Sequence, residues 1–160
     1  MKAASINQIK AELSFKSQSE LIDLCLRLSK FKKENKELLT YLLFESSNEI
    51  GYIESVKAEI KLHFDSINTS NFYYIKKSVR KVLRLIKKYS SYSSKKETEV
   101  ELLIFFCVKL TELKPSIAHN MTLKNLYKRQ LVTIKKIVST LHEDLQYDYQ
   151  SQIQRLENSF

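Results

Sequence analysis

The sequence predicts an all-α fold, and three observations carry the prediction. First, its 160 residues include one glycine, Gly51, and one proline, Pro115. Hairpins, sheet corners and phosphate-cradling loops draw on these residue types, and a chain almost without them has little besides helix to form. Second, apolar residues recur at helical spacing along nearly the whole length. Third, helix-start signals recur between the periodic runs, as Ser-x-x-Glu spacings and an Asn/Ser/Thr cluster. The expected architecture is a compact six- to seven-helix domain with a central apolar helix at 100–113. A short helical-repeat-like stack is the alternative.

Each element follows in order. A short helix is placed at Ile6 to Leu13. Ser17-Gln18-Ser19-Glu20 then has the spacing of a capping box, in which hydroxyl and carboxylate satisfy the orphan N–H groups of a first turn. Leu21, Leu24, Cys25, Leu28 and Phe31 follow on one face. A short helix carries Leu38, Leu39, Leu42 and Leu43. Ser46-Ser47-Asn48-Glu49 offers a second box, ahead of Ile50, Ile53, Val56, Ile60, Phe64 and Ile67. Asn68 to Asn71 is a run of good N-caps. It opens a helix with Phe72, Ile75, Val79, Val82, Leu83, Ile86 and Tyr89 on one side. Ser90 to Ser94 reads as a loop, and Ser94-Lys95-Lys96-Glu97 as a third box. Leu102 to Val108 leaves no polar face, so its helix is expected to be buried on most sides. Pro115 ends it. The last apolar face runs from Leu123 to Leu145 and on to Leu156, with a break near Glu143 as one outcome.

Length and the 43% apolar content allow one domain over 1–160, with 1–14 and 147–160 as the segments free to fray. Cys25 and Cys107 share faces with leucines and are expected as buried hydrophobes, not as a disulfide. No secretory segment opens the chain, and its longest apolar run is too short to span a bilayer. The expected location is cytoplasmic, with no membrane partner.

Charge is the one functional signal. The net charge is +9. From Ser66 to Lys96 there is no acid and there are nine Lys/Arg, and from Leu113 to His142 there is no acid and there are six. The remaining segments balance or are acidic. At about 100° per residue, Lys76, Lys77, Arg80, Lys81, Arg84, Lys87 and Lys88 fall within an arc of about 140°, opposite the apolar face. Lys124, Lys128, Arg129, Lys135 and Lys136 share an arc of similar width. Neither arc holds a Glu to make the i,i+4 pairs of ordinary surface helices. Such faces suit nucleic acid or another polyanion, through sequence-independent phosphate contacts, or an acidic protein. Tyr73 falls among these cations and is expected to be partly packed, with stacking on a base as the functional alternative. The two faces are expected on one continuous or adjacent surface, since both helices must turn their apolar arcs toward the central helix. The bland alternative is a solvated face that serves solubility alone.

Catalytic patterns are missing. There is no glycine-rich phosphate loop and no Gly-x-Ser-x-Gly. Glu59 and His63 share a helix face, but two ligands do not make a metal site. His142-Glu143 lacks the second histidine of a zinc-protease helix, since Gln146 stands there. The expectation is a protein that is not an enzyme, without metal or cofactor. It would be a helical binding module for an anionic partner, most simply nucleic acid, with a protein-interaction or scaffolding domain as the alternative.

Leu13-Ser14, Glu20 to Leu24, Lys36 to Leu42, and Tyr52 with Lys57 also set the first two thirds of the chain beside a known group. This part resembles a family of small all-helical bacterial proteins with no assigned function. The resemblance implies a helical fold and carries over no activity and no site residue.

Overall fold

The computed structural model describes residues 2–159. Among them are eight α-helices and no strand, against the six or seven expected. The chain divides between Phe44 and Glu45 into two compact units.

The N-terminal unit holds α1 (Ile6–Ser14), α2 (Gln18–Phe31) and α3 (Lys33–Thr40). The expected box at Ser17 forms: Ser17 N–H donates to Glu20 Oε2 at 2.8 Å, and Glu20 N–H donates to Ser17 Oγ at 3.3 Å. These bonds, with the nearby Lys16 ammonium, hold the Glu20 carboxyl below its ordinary range. A box not expected from the sequence, Ser5 with Gln8, starts α1. One extended residue, Lys32, separates α2 from α3. The two helices pack on each other, and Asn35 Nδ2 donates to the Leu28 carbonyl at 2.9 Å. No residue of α1, α2 or α3 is buried. Phe15 is 85% exposed and Phe31 77%. Cys25 is exposed as well, contrary to expectation, because the leucine face it belongs to is itself uncovered. A π-helical turn, Tyr41–Glu45, follows α3.

The C-terminal unit holds α4 (Glu49–Asp65), α5 (Phe72–Ser90), α6 (Lys96–Glu112), α7 (Met121–Val138) and α8 (Glu143–Glu157). Here burial is thorough. Helix α6 packs against α4, α5, α7 and α8, as its lack of a polar face predicts. Leu102, Leu103, Phe106, Cys107 and Leu110 are buried on it. Phe106 meets Phe64 of α4 edge to face, with ring centroids 5.8 Å apart. Each fully buried aliphatic or aromatic side chain of this kind contributes about 1.5–3 kcal/mol of transfer free energy. Cys107 is buried as expected, and desolvation pushes its thiol up to about 12.

Polar bonds fix how the helices meet. Tyr52 Oη donates to the Tyr89 carbonyl at 2.8 Å, joining α4 to α5. Lys57 Nζ lies 3.1 Å from both Glu54 and Glu101, joining α4 to α6. Burial pulls the Lys57 ammonium down, but the two carboxylates outweigh it and its pKa is raised. Tyr127 Oη donates to the Leu156 carbonyl at 2.7 Å and pins α8 to α7.

Two expected capping boxes do not form: α4 has another cap, and α6 starts at Lys95 without a side-chain cap. Asn48, not Ser46, caps α4, with its side chain accepting from Gly51 N–H at 3.0 Å. A β-carbon on Gly51 would stand 2.5 Å from the Asn48 side chain, so this glycine makes room for the cap. Glu97 does not close a box with Ser94. The loop is held by Glu49, which accepts from Ser93 Oγ at 2.6 Å and from Thr98 Oγ1. These bonds tie the loop to α4 from a residue far away in the chain, which sequence spacing cannot show. Beyond α6 the Lys114–Pro115 peptide bond is cis, and a 3-10 turn, Ile117–His119, leads into α7. The apolar face after Leu123 does break, between Val138 and Glu143, where His142 caps α8.

Candidate functional site

The basic arc of α5 is built by the sharp division of that helix. Asn71 caps it, its side chain accepting from the N–H groups of Tyr73 and Tyr74 at 2.9 and 3.2 Å. Ile75, Val79 and Ile86 are fully buried against the core. Burying that stripe forces the opposite arc outward. Lys77, Arg80, Lys81, Arg84 and Lys87 are exposed, and Lys76 and Lys88 are half-buried.

Tyr73, Lys76, Lys77, Arg80, Arg84 and Lys87 line one shallow depression, with Leu83 between them. Among the described residues, Lys76, Lys77, Arg80, Lys81, Arg84 and Lys87 make no ion pair. Six cations on one helix without a counter-charge repel one another, and an anion bound over them relieves that repulsion. Lys88 is engaged, with its ammonium 4.5 Å from the centre of the Tyr89 ring. Tyr73 is 65% exposed. Among the described residues its ring neighbour is Tyr74, edge-on at 5.4 Å, so the depression includes a mostly exposed aromatic ring among cations.

The α7 face differs. Lys128, Arg129, Lys135 and Lys136 are exposed and Lys124 is half-buried. Lys124, Lys128 and Lys135 line a second depression with Leu131 and Val132, but Glu157 of α8 lines it too. Lys135 Nζ is ion-paired with that carboxylate. Arg129 and Lys136 lie outside the depression, as Lys81 and Lys88 lie outside the first.

Both helices rest on α6, as expected, but α5 pairs with α4 and α7 with α8, and α5 and α7 share no substantial contact. Their depressions have no lining residue in common. The basic faces are therefore two surfaces of different composition. Two residues that the sequence analysis does not assign to the basic faces shape them, one being Leu83, which it places on the apolar side. Leu83 stands beside Lys76 on the helical wheel, a signal that was available. Glu157 reaches α7 from the far end of α8, and no spacing rule predicts that.

The histidines have local roles. His63 Nε2 is 3.9 Å from Glu59, which also accepts from Tyr89 Oη at 3.3 Å. His142 accepts from Asp144 N–H at 3.4 Å as the cap of α8. Among the described residues no group of three His, Cys, Asp or Glu side chains is placed to hold a metal ion. No described helix is long and apolar enough to cross a membrane.

No protein-family model, no curated protein and no solved structure matches this chain.

Proposed function

We propose that this protein is a non-catalytic, cytoplasmic binding module that contacts a polyanion, most simply nucleic acid, through the basic face of α5. The observation that supports this reading is the row Lys76, Arg80, Arg84 and Lys87, exposed or half-exposed and without an ion pair, on a helix that carries no acid. The α7 face is a secondary contact. Phosphate binding by lysine and arginine releases counterions, so affinity should fall steeply and linearly with salt on logarithmic axes. Titration with oligonucleotides and with heparin across a salt series tests this. No binding at low salt, or binding indifferent to salt, ends the reading.

A second reading, a protein-interaction or scaffolding domain, is favoured by the N-terminal unit. Its helices expose Leu28, Phe31, Leu42, Leu43 and Phe44. Scattered exposed leucines are ordinary, but an apolar surface over an entire helical unit marks an interaction site. Sedimentation over a wide concentration range tests the simplest partner, a second copy. A strict monomer at every concentration removes it. Replacing Leu28 and Phe31 by Ser should change stability by no more than about 0.5 kcal/mol, because exposed substitutions usually do.

A further inference from the structure

The geometry points to single-stranded nucleic acid as the ligand of the α5 face, held by a row of cations along the helix and by stacking of one base on Tyr73. This inference rests on the polyanion reading of α5 and narrows it.

Four features decide for a single strand. Lys76, Arg80, Arg84 and Lys87 supply one cation per helical turn, about 5.4 Å apart along the axis. With Lys77 and Lys81 beside them they form a cationic strip along which the phosphates of a strand can run. Tyr73 lies within the same arc and at one end of the same depression. Its ring is mostly exposed and meets Tyr74 edge-on. Aromatic rings beside a cationic groove bind unpaired bases in a sequence-tolerant way, whereas a base inside a duplex has no free face to offer. Leu83 gives the depression an apolar floor on which a sugar or base edge can rest. Arg80 and Arg84, one turn apart, can each fork onto a phosphate where lysine acts only as a point charge.

The same features argue against other anionic partners. A membrane-surface helix needs a free apolar face to bury among lipid chains. The apolar face of α5, Ile75, Val79, Val82 and Ile86, is already buried in the protein core. An acidic peptide would use the cations but gives Tyr73 nothing flat to stack on.

Fluorescence anisotropy with the full-length protein tests the inference. The probes are a labelled mixed-sequence single strand in deoxy and ribo forms, its abasic counterpart, the matching duplex, heparin and poly-glutamate. The intact single strand, in either sugar form, should bind tightest. Tyr73→Ala should weaken that binding about tenfold and leave the salt slope and heparin binding unchanged. Tyr73→Phe, which keeps the ring, should restore it. Tyr147→Ala, which removes an exposed tyrosine from α8, should change nothing. Circular dichroism verifies that each variant is folded, as the exposure of both tyrosines predicts. The inference is overturned if Tyr73→Ala binds the single strand as wild type does, or if Tyr147→Ala weakens it equally. It is also overturned if the abasic strand, the duplex or poly-glutamate binds as tightly as the intact strand. In those cases salt-dependent heparin binding still upholds the broader polyanion reading. If Arg80→Glu with Arg84→Glu leaves heparin binding untouched, both fall together.

Discussion

Helices α5 and α7 begin from the same kind of sequence and end as different surfaces. Each has an apolar stripe on α6 and an arc of lysine and arginine with no acid of its own. On α5 the arc stays unpaired and surrounds an exposed tyrosine. On α7 a carboxylate arrives from α8, pairs with Lys135 and lines the depression. Tyr127, the aromatic of that depression, is buried with its hydroxyl tied to α8. What separates the two faces is thus not the charge that each helix carries. It is what the next helix brings to it.

The largest effect should come from the helix both faces rest on. Phe106→Ala removes a fully buried ring, and such truncations cost about 3–5 kcal/mol. Chemical denaturation measures the loss. A thiol reagent reads it too, since buried Cys107 should label only on unfolding in the wild type and much faster in the variant, while exposed Cys25 labels readily in both. Cys107 adds a pH signature. Its folded value, about 12, lies above its ordinary 9.0, so the fold retains a proton that the unfolded chain releases. Its contribution to stability is therefore full below about pH 9 and falls as pH rises from there toward 12. If Phe106→Ala left stability unchanged, α6 would not be the common support of α5 and α7.

Charge reversal on the two arcs separates them next. Arg80→Glu with Arg84→Glu should weaken binding to a single strand roughly a hundredfold at low salt, by removing two charge-assisted contacts. It should also make the salt slope shallower by roughly 1.4, the share of two phosphate contacts on a single strand. Lys128→Glu with Arg129→Glu should cost less than about tenfold, as expected of a secondary site already partly neutralised. Equal losses would erase the distinction between α5 and α7. Neither pair should lower stability by more than about 0.5 kcal/mol.

Much of this was legible in the sequence, and what was not has a common cause. The helical class followed from the near-absence of glycine and proline. The centrality of α6 followed from its missing polar face. The outward arc of α5 followed from the wheel alone, because one stripe is buried and the other must face water. The failures are all tertiary. Ser46 and Ser94 have the spacing of caps, yet Asn48 caps α4, and α6 starts at Lys95 without a side-chain cap while Glu49 binds the hydroxyls of Ser93 and Thr98. Cys25 shares a face with leucines, and that face is not covered. The Lys135–Glu157 pair joins residues from two helices whose register no local pattern reports.

The finest test removes the difference itself. Glu157→Gln deletes the carboxylate beside Lys135 and keeps the shape of the side chain. An exposed ion pair is worth about 0–1 kcal/mol, so stability should hardly move. The electrostatics should move more, because the Lys135 charge is no longer offset by a carboxylate next to Lys124 and Lys128. Made in the Arg80→Glu, Arg84→Glu background, where the α5 face is weakened, the substitution should raise the residual affinity for a single strand or heparin a few-fold. It should also steepen the salt slope by up to about 0.7, the share of one additional phosphate contact. Tyr73 is not involved, so the gain should be the same for intact and abasic strands. An unchanged affinity would show that Glu157 does not govern the α7 face. The contrast with α5 would then rest on the exposed tyrosine and not on the unpaired cations.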